Sequence, residues 1–177
     1  MMERAAEDHC VHWWCNPWQW AHPDWQSRFA AECGLTVEEC DALMVSRHSV
    51  FLQRMGIAPS QPPDPPAEPL LNWLALTPAQ RDQALDLAQR ICFSRNESDG
   101  ADGAWCWALT KALRPGVWLD QESEDARLLL GAWLGPEYWP RLRLAWAPDA
   151  VADRPCEAPE NKLRTLWQAV LWRVTAA

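Results

Sequence analysis

His9, Cys10, His12 and Cys15 place four potential metal ligands within seven positions, and His22 and Cys33 follow. Zinc is held by four nitrogen or sulfur ligands converging tetrahedrally, usually as two close pairs from separate segments. The second pair is missing: Cys33 and Cys40 are separated by a helix stop and a helix cap, and no Cys-x-x-Cys occurs. The cluster therefore reads as loose polar residues on an aromatic N-terminal segment, and the sequence predicts no metal. For nucleophilic catalysis the best pairing is His48 with Cys40 or Ser46 on adjacent turns. One His near a helix start is more often a cap or surface residue. No Gly-x-Ser-x-Gly, phosphate-cradling glycine loop or His-Glu-x-x-His accompanies it. The acidic pairs Glu38-Glu39 and Glu122 through Asp125 fall in first turns of predicted helices, where they complement the positive end of the helix dipole. The sequence predicts no catalytic residue, no cofactor and no enzyme activity.

These residues need elements to hold them, and 177 residues suffice for one domain with a sizeable core. A net charge of -8 without any basic run argues against a nucleic-acid partner. No apolar stretch nears the roughly 20 residues that cross a bilayer. The start carries Glu3, Glu7 and Asp8 before any apolar run, the wrong polarity for a secretory signal. Seven Cys at irregular spacings do not form a disulfide framework, and Cys40, Cys92 and Cys106 sit in apolar helical patterns as small hydrophobes. Together these features predict a cytoplasmic protein without membrane insertion.

The chain punctuates itself into helices. His22-Pro23 opens one with Pro at the first helical position, and Gly34 closes it. Thr36 with Glu39 is a capping box for a helix to about Val45, and a third runs from Ser46 to Met55 and stops at Gly56. Six prolines between Ala58 and Pro69 predict an extended linker. The expected division is 1–57, a Trp-rich helical region; 58–69, a Pro-rich linker; and 70–177, a C-terminal helical region. All of it could still pack as one domain.

Beyond the linker, Leu70 to Leu76 reads as a short apolar turn. Thr77 with Gln80 is a second capping box, starting a helix to Phe93. A polar loop over 96–103, a helix from Ala104 to Leu113 and a helix capped by Asp120 follow. Pro136 to Trp146 reads as a further helix that Pro140 interrupts or restarts, before a Pro- and Asp-rich loop over 148–159. Leu163, Leu166, Trp167, Val170, Leu171 and Val174 give the last helix one apolar stripe. No alternating run suggests a strand, so the predicted fold is an all-α, irregular multi-helix domain.

Fourteen tryptophans against one Tyr and three Phe make the aromatic load almost wholly indole. Each indole buries a large apolar area and keeps one N–H that wants a partner, which suits core edges and protein interfaces. A stacking platform for sugars or bases is the sharper alternative. Trp133, Tyr138, Trp139, Arg141 and Trp146 concentrate residue types enriched at interface hot spots. The sequence nominates them as a protein-interface corner, with Arg141 beside Trp133 or Tyr138 as the favoured pair. A helix–turn–helix corner packed in the core explains the same residues equally well.

Several segments carry a family resemblance. His22 to Trp25 opens the first helix after the aromatic stretch, and Leu52 to Gly56 precedes the Pro-rich joint. Leu74 to Cys92, Trp107 to Trp118 and Gly135 to Leu144 complete the layout. Over about residues 12 to 146 the chain resembles the SctK (YscK-like) accessory proteins of bacterial type III secretion. The Trp density, the loop after Trp146 and the extra C-terminal helix depart from that pattern. The resemblance implies a non-enzymatic, virulence-associated adaptor of the cytosolic sorting platform. Its partners would be the cytosolic domain of the inner-membrane ring protein and the spoke or pod protein that carries the export ATPase. It would lie peripherally at the cytosolic face of the inner membrane. The competing readings are a secretion chaperone or regulator that binds a partner helix, an enzyme of unrecognised type, and a ligand-binding module built on the indoles.

Overall fold

The computed structural model describes residues 2–94, 102–119 and 125–176. The expected cap Asp120, the acids Glu122 to Glu124 and the loop at 96–101 lie outside the described residues. The fold is all-α: among the described residues there is no strand. In chain order the helices are α1 (Met2–Cys15), α2 (Pro17–Trp20), α3 (Pro23–Cys33), α4 (Val37–Arg54), α5 (Glu68–Leu74) and α6 (Pro78–Phe93). They continue as α7 (Gly103–Leu113), α8 (Pro115–Trp118), α9 (Ala126–Leu134), α10 (Trp139–Leu142), a 3-10 turn (Arg143–Ala145) and α11 (Glu160–Thr175). The chain forms two compact units. Unit 1 combines residues up to Leu71 with Glu137–Asp153, and unit 2 combines Asn72–Pro136 with Arg154–Ala177.

In unit 1, His22 caps α3 by accepting from the Asp24 N–H at 3.2 Å, and Pro23 sits in the first turn. Gly34 ends that helix at φ 68°, a left-handed conformation that a Cβ disfavours, and its N–H returns to Ala30 and Ala31. The α4 capping box is complete: Glu39 N–H to Thr36 Oγ1 at 3.2 Å and Thr36 N–H to Glu39 Oε2 at 2.8 Å. The two helices expected over 36–55 are present end to end within α4, separated by the non-helical backbone of Arg47 (φ -133°, ψ 32°). Trp18, Phe29 and Phe51 meet edge to face with ring centroids 5.2 to 5.6 Å apart. Such pairs add about 0.5–1.5 kcal/mol beyond their area burial. Around them pack Cys40, Met44, Leu52, Ile57 and, from the returning segment, Leu144.

Residues 2–15, within the region expected to be helical but without a helix placed in it, form α1. Cys10, Trp13 and Trp14 are buried at i, i+3 and i+4, the stripe of an amphipathic helix. The Pro-rich stretch also differs from expectation, because it belongs to unit 1 instead of separating two regions. The Ser60 carbonyl accepts from Trp14 Nε1 at 2.9 Å, and the Ala67 N–H donates to the Tyr138 hydroxyl at 3.4 Å. A segment without internal hydrogen bonds leaves such groups open to side-chain donors and acceptors. The division of the chain falls inside α5, which replaces the apolar turn expected at 70–76.

Unit 2 is built on α6 and α11, packed against each other and against α7 and α9. The Thr77–Gln80 capping box forms as expected, with N–H bonds of 3.3 and 3.0 Å. Ala84, Leu87, Ala88 and Ile91 make the buried stripe of α6, and all six residues expected on the α11 stripe are buried. Asp125 caps α9: it accepts from the Arg127 N–H at 2.8 Å and pairs with the Arg127 guanidinium. Arg114 takes the left-handed conformation (φ 54°) as the C-cap of α7, its N–H returning to the Thr110 carbonyl before Pro115 opens α8.

Candidate interaction site

The five residues nominated as one interface corner divide between the two units. Trp133 lies in unit 2, half-buried and stacked on Trp167 with centroids 5.9 Å apart. Tyr138, Trp139, Arg141 and Trp146 lie in unit 1. There Tyr138, Trp139 and Arg141 keep only 1 to 2 % of their surface exposed, so they are interior groups, not partner anchors. Trp139 donates its indole N–H to the Asp153 carbonyl at 3.0 Å and its ring meets half-buried Trp146 at 6.3 Å. The favoured pairing of Arg141 changes as well. Its guanidinium lies 3.7 Å over the Trp14 ring, and Nε donates to the Trp14 carbonyl at 3.3 Å. Burial pushes the Arg141 pKa down from the usual arginine range. The physical reason for the correction is that aromatic and Arg side chains suit a closed core edge as well as an interface, and type alone does not choose.

The N-terminal His and Cys residues are drawn into local structure. Cys10 is buried, and burial raises its thiol pKa. His12 Nε2 lies 3.2 Å from Gln19 Oε1 and its Nδ1 lies 3.2 Å from Asn16 Nδ2, a pattern met by the Nε2–H tautomer. Cys40 is wholly buried in the core, whereas His48 lines an open cleft that Cys40 does not reach, so the structure does not bring that pair together.

That cleft, of about 280 Å³, lies in unit 1 beside α4. Asp41, Met44, Val45 and His48 form its α4 wall at i, i+3, i+4 and i+7, and Asn16, Trp18, Gln19 and Gln26 form the opposite side. Its size falls just below the ~300–1,000 Å³ of small-molecule pockets, which fits one large side chain. The wall is fixed by hydrogen bonds: Trp18 Nε1 donates to Asp41 Oδ1 at 2.6 Å, and Gln26 Nε2 donates to the Trp18 carbonyl at 2.7 Å. At the rim Val45 is 84 % exposed. The helical spacing of 41, 44, 45 and 48 was legible in the sequence, but a polar-apolar stripe facing solvent has no compositional signature.

A second depression in unit 1, of about 320 Å³, is charged and balanced. It gathers Arg28, Arg54 and Arg143 with Glu32, Asp149 and Asp153. Arg143 pairs with Asp153 and lies 5.4 Å over the Trp25 ring, whose indole donates to the Trp146 carbonyl at 2.8 Å.

Large apolar side chains exposed among the described residues are Val11, Leu43, Val45, Val50, Val117 and Trp172. Three of these six fall within eight residues of α4, which singles out that helix. On unit 2 the counterpart is Trp172, 64 % exposed on α11. No helix of the described residues is long and apolar enough to cross a membrane. Compared with protein-family models, curated proteins and solved structures, the chain matches none.

Proposed function

We propose that the protein is a non-enzymatic adaptor that docks partner proteins through separate surfaces on its two units. The observation that carries this reading is Val45, 84 % exposed on α4 at a side-chain-sized cleft of unit 1. Trp172 gives unit 2 its own docking residue. An exposed apolar side chain at the edge of a cleft with apolar lining extends that lining into a larger apolar surface of the kind partners cover. The resemblance to the SctK (YscK-like) proteins supplies the setting. On that basis we place the adaptor in the type III secretion sorting platform, joining the inner-membrane ring protein to the spoke that carries the ATPase. The protein would then work in the cytoplasm at the inner membrane.

The test is capture of the cytosolic ring domain and the spoke protein by the full chain, with Val45→Asp and Trp172→Asp variants. Both substitutions replace exposed side chains and should leave the melting temperature unchanged. Each should weaken one partner by about thirtyfold or more, the scale of a hot spot of ~2 kcal/mol. Full retention of both partners by both variants rejects these docking surfaces.

A further inference from the structure

We propose that the cleft beside α4 receives a cationic side chain, an arginine or lysine flanked by apolar residues, from the protein that docks on this face. The inference rests on the α4 docking reading and adds the chemistry of the occupant. Asp41 uses only Oδ1 for the Trp18 indole. Its Oδ2 meets no donor among the described residues. Asn16 spends its Nδ2 on the His12 carbonyl at 3.0 Å, and Gln26 spends its Nε2 on the Trp18 carbonyl. These bonds orient both amides and leave Asn16 Oδ1 and Gln26 Oε1 as unused acceptors, while Gln26 keeps one Nε2 hydrogen and Gln19, whose Oε1 faces His12 Nε2, keeps its own amide hydrogens. One carboxylate and two oriented amide oxygens therefore line a cleft that contains no Lys or Arg of its own.

The free carboxylate oxygen favours a cationic donor: arginine, lysine and tryptophan all donate without accepting, and of these only arginine and lysine carry charge. Charge-assisted bonds from a cation to a carboxylate are about twice as strong as neutral ones. The apolar parts of the cleft, Trp18, Met44 and Val45, suit the methylene stem of the same side chain, with Met44 able to adapt its shape. A single carboxylate among neutral amides is too little charge and too few oxygens for a bare divalent ion. The net charge of -8 further favours a basic partner segment during encounter.

The probe is an acetylated, amidated Leu-Arg-Leu peptide, with a counterpart carrying uncharged, near-isosteric citrulline. Binding to the full chain is followed by NMR at the Trp18 indole N–H, assigned through Trp18→Phe. The arginine peptide should shift this resonance saturably and bind about tenfold or more tighter than the citrulline peptide. Asp41→Asn keeps an oxygen for the Trp18 indole and should weaken the arginine peptide by a similar factor at unchanged melting temperature. Gln19→Glu adds a second carboxylate to the lining and should tighten it, which decides the matter if Asp41→Asn fails to fold. Equal affinity for the two peptides, or no gain in Gln19→Glu, overturns the proposal. Free arginine binding as tightly as the peptide also overturns it, in favour of a small-molecule site. Partner capture lost in Val45→Asp but intact in folded Asp41→Asn removes the cation and spares the docking face. Capture unaffected by either variant removes the docking face, and this inference with it.

Discussion

Indole N–H groups do specific work in unit 1: they hold down chain that has no regular structure. Trp14 binds the Ser60 carbonyl, Trp25 the Trp146 carbonyl and Trp139 the Asp153 carbonyl, at 2.8 to 3.0 Å. Phe keeps most of the ring volume but cannot donate, so Trp25→Phe should cost about 1 kcal/mol in urea unfolding, the net value of one hydrogen bond. Trp139→Ala also removes the volume and should cost about 3–5 kcal/mol. The thiols give a second residue-scale expectation. Cys33 is the exposed cysteine among seven, and it should react first with a maleimide in the native protein. Cys92 is held neutral chiefly by burial, with nearby Cys156 adding to it, and its pKa rises from 9.0 to about 12. Unfolding returns that thiol to its ordinary range, so the unfolded chain loses the proton first as pH rises. This contribution is intact below pH 9, and stability should fall between pH 9 and about 12. Melting temperatures across that range check the sign, and Cys92→Ala should flatten the slope.

At the level of elements, helix ends are set by short local signals. Both capping boxes satisfy two backbone donors each, and Thr36→Ala or Thr77→Ala should each lower stability by about 1 kcal/mol. Gly34→Ala isolates the backbone effect. A Cβ there would meet nothing within 4 Å, so the cost comes from the left-handed φ of 68°, about 1–2 kcal/mol. Chemical denaturation with unchanged m values would show that these variants act on stability alone. In α4, Met44 before the bend at Arg47 and Phe51 after it, seven residues apart, both face the core, while Val45 turns outward at the cleft.

At the scale of the whole molecule, unit 1 is assembled from two separated stretches of chain. Its core needs Leu144, and Trp14 needs Arg141 over its ring, so residues 1–71 lack part of their own interior. The isolated 1–71 fragment should show no cooperative thermal transition, and a 137–153 peptide should restore helicity. A nick between 58 and 69 in the intact protein should likewise leave the two pieces associated. Their separation on native size-exclusion chromatography would contradict this assembly.

Local signals in the sequence determined most of the helix ends. The proline and glycine at the ends of α3, the two Thr caps and the stripe of α11 act within one or two turns, so their residues suffice to specify them. The all-α class follows from the same periodicity. At α1 the stripe of Cys10, Trp13 and Trp14 is present in the sequence, but the interspersed His and Cys make the segment read as loose polar residues on an aromatic stretch. What only tertiary structure decided is which aromatic faces solvent. Tyr138 and Trp172 are both large and apolar, yet one is 1 % and the other 64 % exposed. Tyr138 is closed over because its hydroxyl meets the Ala67 N–H and its edge meets Trp14, both far away along the chain. Burial of that kind depends on contacts between distant segments, which neither spacing nor residue type encodes.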